Sequence, residues 1–285
     1  MSTLTKPTSA APTAPPRAVR AHLSFPHLVR SEWIKLWTVR STYWILPLTV
    51  LAFVGISFLV AFFSTQDDAQ ANGAPPMDAS FLLTPGVYFG QLAIVVLAVL
   101  TITGEYSTGM IRSTFAAAPA RLPVLTAKLL VVLVVSFLTG AVATALTWLV
   151  TRPVLGDEHA IDLGSAETQR ILLGAPLYLT AIALFAFALG ALLRHSAAAL
   201  ATVLGLLLVI ETVFSAIPTD FFRNTAPFLP GTAGQRLTAS QQFMDMTAQM
   251  SDAPQLTPWQ GFGVLLAWGV VILVAAAVLV RRRDA

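Results

Sequence analysis

The segment that decides the organisation of this chain is residues 104–128, Gly-Glu-Tyr-Ser-Thr-Gly-Met-Ile-Arg-Ser-Thr-Phe-Ala-Ala-Ala-Pro-Ala-Arg-Leu-Pro-Val-Leu-Thr-Ala-Lys. It is a polar and basic segment between two long apolar runs, and it is too short to form a soluble domain. Five of its residues recur at three- and four-residue spacings, which predicts a short amphipathic helix that Pro119 ends: Tyr106, Met110, Ile111, Thr114 and Phe115. A plain basic loop would not need an apolar helical face, so the segment favours a contact surface for a cytoplasmic partner.

The composition is that of a membrane protein. Of the 285 residues, 56% are hydrophobic and 11% are charged, and the mean hydropathy is +0.74. Soluble domains carry about 25% charged residues. The net charge of +3 does not indicate a nucleic-acid partner, because the basic residues flank apolar runs instead of forming one soluble patch. The absence of cysteine excludes disulfides and thiolate metal sites.

Six apolar runs are long enough to cross a membrane, since a spanning helix needs about 20 residues. The sequence therefore predicts an all-α polytopic membrane protein with six transmembrane helices. Only Arg194, His195 and Ser196 separate the fourth run from the fifth, which predicts a tight helical hairpin. The predicted spans are 43–63, 86–104, 123–150, 171–193, 197–217 and 260–280.

The basic residues predict the orientation of these spans. With an even number of spans, both termini lie on the same side. Every lysine and arginine falls on that side except four, and basic residues mark the cytoplasmic side. We therefore expect both termini in the cytoplasm, residues 1–24 as a disordered tail, and residues 25–285 as one domain in the plasma membrane. The four exceptions are Arg152, Arg170, Arg223 and Arg236.

Residues 28–41 precede the first span and predict a helix of their own. Val29, Trp33, Leu36 and Trp37 share one face at helical spacing, which leaves Glu32, Lys35 and Arg30 for the aqueous side. A basic helix with tryptophans on its apolar face lies in the headgroup layer. We therefore expect an interfacial helix that contacts membrane lipid.

The beginning of the 104–128 segment predicts a change of direction. Gly104 interrupts the second span, and Glu105 is the first charge after it, so we expect the chain to hinge at this pair. Arg112, Arg121 and Lys128 are available to phosphates, lipid headgroups or acidic grooves on a partner.

Two further features leave alternatives open. Glu211 is the only ionisable residue well inside a span, and a buried acid of this kind faces protein or water. It is either a cavity or gating residue, or a partner in an interhelical hydrogen bond. The segment 218–259 contains a predicted short helix at Thr238 to Met250, which either covers an outward cavity as a lid or fills space by packing.

No catalytic or cofactor motif is present. The chain lacks a Gly-x-x-x-x-Gly-Lys-[Ser/Thr] phosphate loop, a His-Glu-x-x-His pair and a Gly-x-Ser-x-Gly motif. We therefore expect no enzymatic activity, no metal and no bound cofactor in this chain.

Two stretches resemble the actinobacterial ABC-2-type transporter permeases: Ser31-Glu32-Trp33-x-Lys35-Leu36 with Arg40-Ser41-Thr42, and Gly104-Glu105-Tyr106-Ser107-x-Gly109-Met110-Ile111-Arg112-Ser113-Thr114, followed by Pro119, Arg121 and Lys128. The resemblance implies a permease subunit of an exporter. This subunit would pair with a second permease, either another copy or a homologue, and with a separate ATP-binding subunit that uses ATP and Mg²⁺.

The resemblance also assigns roles to the residues of the two stretches. Residues 106–117 would form a coupling helix against the ATP-binding subunit, with Glu105 as its hinge. The expected contact residues are Glu105, Tyr106, Met110, Ile111, Arg112, Phe115 and Arg121. Residues 28–41 would form the interfacial connecting helix, with Glu32, Trp33, Lys35 and Trp37 as its characteristic side chains.

Two other classes of protein remain open. One is a channel or secondary transporter that uses no ATP, which would normally carry ionisable residues in the middle of the membrane. The other is a non-transporting membrane factor, such as an immunity or sensor-associated protein.

Overall fold

The computed structural model describes residues 24–68, 79–110, 121–155, 163–250 and 252–282, and every element within these ranges is helical. We number the α-helices in chain order. They are α1 (Phe25–Thr38), α2 (Arg40–Asp68), α3 (Ala79–Ser107), α4 (Arg121–Leu155), α5 (Ala166–Leu193), α6 (Ser196–Ala216), α7 (Asp220–Thr225), α8 (Pro230–Gln235), α9 (Gln241–Met250) and α10 (Pro258–Arg282).

Six of these helices are long and apolar enough to cross a membrane, which confirms the predicted fold class. They are α2 to α6 and α10, in the order of the six predicted runs. Most are a few residues longer than predicted, because polar residues at the ends continue the helix. The spans are Arg40–Ser64, Leu82–Ser107, Leu122–Leu155, Ala166–Leu193, Ser196–Ala216 and Pro258–Val280.

Helix α5 lies at the centre of the bundle and packs against α3, α4, α6 and α10. Of the 18 residues in the apolar stretch of α5, 78% are buried inside the bundle. The corresponding share is 22% for each of α2, α6 and α10. The close approach of α4 to α5 depends on Gly140, because a Cβ there would lie 2.8 Å from the Cα of Pro176. Small residues at such contacts are typical of packed membrane helices.

The bundle has two ends, which we call basal and distal. The basal end holds α1, Ser107, Arg121 and the turn at Arg194–His195; the distal end holds α7, α8 and α9. The basal turn between α5 and α6 is the tight hairpin that the sequence predicts. Arg194 has a left-handed backbone with a φ of 57°, and the His195 side chain accepts a hydrogen bond from the Ala198 N–H.

Helix α1 meets α2 at Val39, whose extended backbone ends the first helix before Arg40 begins the second. The face of α1 that is turned towards α4 contains the buried Leu36 and the half-buried Val29. These two residues are therefore on an apolar face, as predicted. Residues 1–23, and with them nearly all of the predicted tail, lie outside the described residues.

Candidate functional site

Four charged side chains from three helices meet at the basal end, and we call them the basal cluster: Glu32, Lys35, Glu105 and Lys128. Lys35 Nζ donates to Glu32 Oε1 at 2.7 Å and to Glu105 Oε1 at 3.1 Å. Lys128 Nζ donates to Glu105 Oε1 at 2.8 Å and also to Glu32 Oε2. The cluster therefore joins α1 to the end of α3 and the beginning of α4.

The basal cluster is almost entirely shielded from solvent. Glu32 is 4% exposed, Glu105 4% and Lys128 3%, while the Lys35 side chain is 34% exposed. Two carboxylates face two ammonium groups, so the group is electrically balanced. Removing one member of a buried ionic group leaves an uncompensated charge and typically costs about 3–5 kcal/mol. The ion pairs among these four side chains thus hold α1, the end of α3 and the beginning of α4 together.

The local sequence explains how the four side chains come together. Glu32 and Lys35 are three residues apart and lie on the same side of α1, beside the buried Leu36. Glu105 lies in the last turn of α3. Two ammonium groups near this end are favourable, because the carboxyl end of a helix carries a partial negative charge. Lys128 comes two turns after the start of α4, at the depth where α1 crosses.

Lys35 is the member of the cluster that retains contact with solvent. Burial lowers its pKa, but the hydrogen bonds and the negative charges of Glu32 and Glu105 outweigh this effect and raise the pKa above the usual 10.5. Lys35 therefore stays protonated at physiological pH.

One oxygen of the cluster has no donor. Glu105 Oε2 is buried and accepts no hydrogen bond from a described residue. Glu105 is the residue of the cluster that lies closest in sequence to the undescribed residues 111–120.

The position of Glu32 and Lys35 corrects one prediction. Both were expected on the aqueous side of the interfacial helix, but Glu32 is buried and Lys35 is half-buried. For the apolar face, the helical spacing predicts the buried Leu36 and the half-buried Val29 correctly. However, the sequence does not show that Lys128 and Glu105 supply opposite charges at that depth, which makes burial of a carboxylate tolerable.

The expected interruption at Gly104 is wrong. Helix α3 continues through Gly104 and Glu105 to Ser107. The hydroxyls of Ser107 and Thr108 donate back to the Gly104 carbonyl, at 3.0 and 2.8 Å, and so belong to the end of this helix. Gly109, with a φ of 71°, then turns the chain. Since Glu105 is paired with two lysines, its charge does not force the helix to stop.

Of the other residues expected to contact the ATP-binding subunit, the structure describes only Tyr106, Met110 and the backbone of Arg121. Tyr106 belongs to the last turn of α3, where the Arg194 guanidinium lies 5.3 Å from its ring centre, and Met110 is 45% exposed. Ile111, Arg112 and Phe115 lie outside the described residues. Arg121 begins α4, and its side chain is likewise outside the described residues. The expectation that Lys128 is available to a partner is wrong, because this residue is 3% exposed and its ammonium group is bonded to Glu32 and Glu105.

At the distal end, Glu211 holds the first turn of α8. Gly231 N–H donates to Glu211 Oε1 at 2.6 Å, while Thr232 donates to Oε2 through its N–H at 2.7 Å and its hydroxyl at 3.0 Å. Glu211 is 6% exposed and follows a π-helical turn at Gly205–Ile210. The sequence left two roles open for Glu211, a cavity or gating residue and a partner in an interhelical hydrogen bond. The structure shows the hydrogen bonds, which join α6 to α8.

The opposite end of α8 is held by Arg170 of α5. Its guanidinium donates to the carbonyl oxygens of Leu237 and Ala239, both at 2.8 Å, just after the helix ends. A carboxylate thus binds the N–H groups at the start of α8, and a guanidinium binds carbonyls just beyond its end. The helix dipole favours this arrangement, with the negative charge at the N-terminus and the positive charge at the C-terminus. We call Glu211, Gly231, Thr232 and Arg170 the distal clasp.

The distal clasp keeps residues 226–240 inside the bundle. Ala233 and Leu237 are fully buried, and Gly234 lies against the ring of Tyr178 and against Leu265. This part of the 218–259 segment therefore fills space by packing. The predicted helix at Thr238 to Met250 corresponds to α9, whose Phe243, Met246 and Met250 are exposed. The sequence offered no signal for Arg170, which looked like an ordinary basic residue at the end of a span.

Within the described ranges, no three His, Asp or Glu side chains are grouped so that they could hold a metal ion. No protein-family model matches the chain, and no curated protein matches it either.

Proposed function

We propose that this chain is the permease subunit of an ATP-driven exporter in the plasma membrane. It would pair with a second permease and with a separate ATP-binding subunit, and its basal end would face the cytoplasm. The observation that carries the proposal is the basal cluster. The two stretches that resemble ABC-2-type permeases lie about 70 residues apart in sequence, yet Lys35 of one and Glu105 of the other are hydrogen-bonded at 3.1 Å.

The cluster gives a physical route for coupling. A cytoplasmic motor that pushes on the connection between α3 and α4 would act on the helix ends that carry Glu105 and Lys128. Both are bonded to Glu32 or to Lys35, so α1 would move with them. The relay would be a rigid unit of three helix ends instead of a hinge at Gly104, and breaking it would cost several kcal/mol.

The orientation in this proposal rests on the distribution of basic residues. Basal segments hold Arg30, Lys35, Arg40, Lys128 and Arg194, whereas Arg152, Arg170, Arg223 and Arg236 lie on distal segments. An excess of lysine and arginine marks the cytoplasmic side, and the exporter needs its ATP-binding partner on that side.

Glu211 bears on the alternative of a secondary transporter. Ion-coupled transporters place ionisable groups or broken helices around a site in the membrane that opens to the ion. The two oxygens of Glu211 accept three hydrogen bonds from Gly231 and Thr232 of α8, so this acid is engaged in holding α8 in the bundle. This bonding favours a structural role for Glu211, which supports the exporter over an ion-coupled carrier.

The first experiment is to purify the tagged chain from its native membranes and identify what accompanies it. We expect a protein with a phosphate-binding loop and ATP hydrolysis activity. A second tagged six-span protein from the same membranes is the control for non-specific capture. Absence of an ATP-hydrolysing companion from the tagged complex would contradict the exporter and favour a channel, a carrier or a non-transporting factor.

The second experiment tests the coupling route. Because the chain has no cysteine, Met246→Cys on the exposed face of α9 provides a single thiol. We expect ATP to change its labelling rate in the complex, and we expect Glu105→Gln to abolish that change while the companion still co-purifies. Asp220→Asn, which breaks the exposed Asp220–Arg223 pair, is the matched control and should keep the response. An ATP response that survives Glu105→Gln would remove the cluster from the mechanism.

A further inference from the structure

An apolar groove runs along the surface of the bundle between α1, α2 and α4. Its volume is about 1050 Å³. Trp33 and Trp37 of α1 lie at its basal end, and apolar residues of α2 and α4 form its walls, among them Leu51, Val142 and Val150. The Thr139 hydroxyl in its wall donates to the Val135 carbonyl at 2.7 Å and is therefore occupied. A lining of this kind favours hydrocarbon over water, which needs polar partners.

The groove is long enough to take the extended chain of a lipid. From Val135 to Val150, the wall on α4 extends roughly 22 Å at 1.5 Å per residue. The hydrocarbon core of a bilayer is about 30 Å thick, so the groove runs through more than the depth of one leaflet.

The basal mouth of the groove is basic. Arg30 precedes Trp33 by three residues and Trp37 by seven, so all three share one face of α1. Arg40 begins α2, three residues before Tyr43 and four before Trp44, so it shares a face of α2 with these two residues of the groove lining. Both arginines are exposed, and neither forms an ion pair with a described residue. Glu32 is the nearest acid in sequence, and its two oxygens are taken by lysines.

The aromatic residues at this mouth are of the types that concentrate at the headgroup level of a membrane. Trp33 and Trp37 lie 6.0 Å apart between ring centres, and Trp37 meets Tyr43 edge to face at 5.9 Å. Trp44 is 79% exposed beside them. Tryptophan and tyrosine concentrate where headgroups meet hydrocarbon. The mouth therefore lies at headgroup level, and the groove leads from it into the hydrocarbon layer.

We propose that this groove is a binding site for an anionic phospholipid of the leaflet at the basal end. The acyl chain lies against α2 and α4, and Arg30 and Arg40 bind the headgroup phosphate. An apolar slot with two exposed guanidinium groups at one end, neither of them in an ion pair with a described residue, is complementary to an anionic amphiphile. This site does not depend on the proposed transport function.

The test uses the purified full chain and native mass spectrometry, with phosphatidylglycerol and phosphatidylcholine of identical acyl chains as probes. Each basic residue near a membrane surface contributes about fivefold to anionic lipid binding. We therefore expect Arg30→Gln to reduce the preference for phosphatidylglycerol about fivefold, and Arg30→Gln with Arg40→Gln to abolish it. Arg152→Gln removes an exposed arginine from the distal end of α4 and should leave the preference unchanged. Equal binding of the two lipids to the unaltered chain would overturn the proposal.

A second pair of variants tests the groove itself. Val142→Trp places a large side chain in the groove, whereas Val274→Trp makes the same change on the exposed face of α10, where Val274 is 56% exposed. We expect the first variant to lose tight phosphatidylglycerol binding and the second to keep it. Binding that survives Val142→Trp would overturn the site. So would disulfide-linked dimers of Leu51→Cys that form as readily with lipid as without it, because a second copy would then occupy the groove.

Discussion

The basal cluster and the distal clasp both bury carboxylates in an apolar bundle, but they satisfy them with different partners. At the basal end, Glu32 and Glu105 face the ammonium groups of Lys35 and Lys128. At the distal end, Glu211 faces two backbone N–H groups and one hydroxyl of α8. One arrangement depends on side-chain charges from three helices, and the other on the backbone of a single turn.

The difference determines what each site tolerates. The basal cluster requires charge balance, so loss of any one side chain leaves a buried charge uncompensated. The distal clasp requires space, because Glu211 can reach the α8 backbone only where no Cβ stands in the way. A Cβ on Gly231 would lie 2.5 Å from Glu211 Oε2. The basal end should therefore respond mainly to a loss of charge balance, whereas the first turn of α8 at the distal end should also respond to added size.

The largest effect is expected from Lys128→Met. This change keeps the side-chain length but leaves Glu32 and Glu105 with one ammonium group between them, which should lower the free energy of unfolding by about 3–5 kcal/mol. At roughly 2–4 °C per kcal/mol, thermal unfolding in detergent should begin about 6–20 °C lower.

A variant with all four cluster residues replaced by apolar ones tests this prediction further. Replacing Glu32 and Glu105 by Leu together with Lys35 and Lys128 by Met removes all four charges at once. Most of the lost stability should return, since well-packed apolar groups can replace a buried ionic group without loss. If Lys128→Met alone were as stable as the unaltered chain, the basal cluster would not hold the helix ends together.

A smaller effect is expected from Gly231→Ala. The added methyl group displaces the Glu211 carboxylate or the first turn of α8, and overpacking of this kind costs about 1–3 kcal/mol. Hydrogen exchange should accelerate at the amides of residues 229–238 and stay unchanged at the basal end. Gly263→Ala in α10 is the control, because a Cβ there meets nothing within 4 Å and alanine is the better helix former. Equal responses of the two glycines would contradict the steric account of the clasp.

The smallest effect is the pH dependence contributed by Lys35. Its pKa is raised in the folded chain, so its stabilisation is complete below the unfolded value of 10.5 and is lost as the pH rises through the higher folded value. Lys35 is one-third exposed, so we expect less than about 1 kcal/mol. The difference in melting temperature between the unaltered chain and Lys35→Met should shrink above pH 10.5. A difference that stays constant or widens with pH would contradict this assignment.

The sequence predicted the spans and several residues of the sites, because span length and helical spacing are local properties. Glu211 was conspicuous as a lone acid in an apolar run, and Glu32, Lys35, Glu105 and Lys128 stood in or beside the two quoted stretches. Their mutual contacts could not be predicted, because the residues are separated by up to 96 positions. The depth at which α1 crosses α4 depends on how all the helices pack.

The same reason explains the three errors. Lys128 looks available to a partner until Glu32 and Glu105 are found beside it. Glu32 and Lys35 look like the aqueous face of an amphipathic helix until opposite charges are found across from them. Gly104 and Glu105 look like a helix end until two lysines neutralise the carboxylate and allow α3 to continue to Ser107.

By itself, the sequence determined that this is a six-span helical membrane protein, because the hydrocarbon layer requires long apolar helices and their lengths can be counted along the chain. The tertiary structure alone decided which charges are buried and what they bind. The free energy of a buried charge depends on the groups within a few ångströms of it. For Glu105 and Glu211 those groups come from other helices of the bundle.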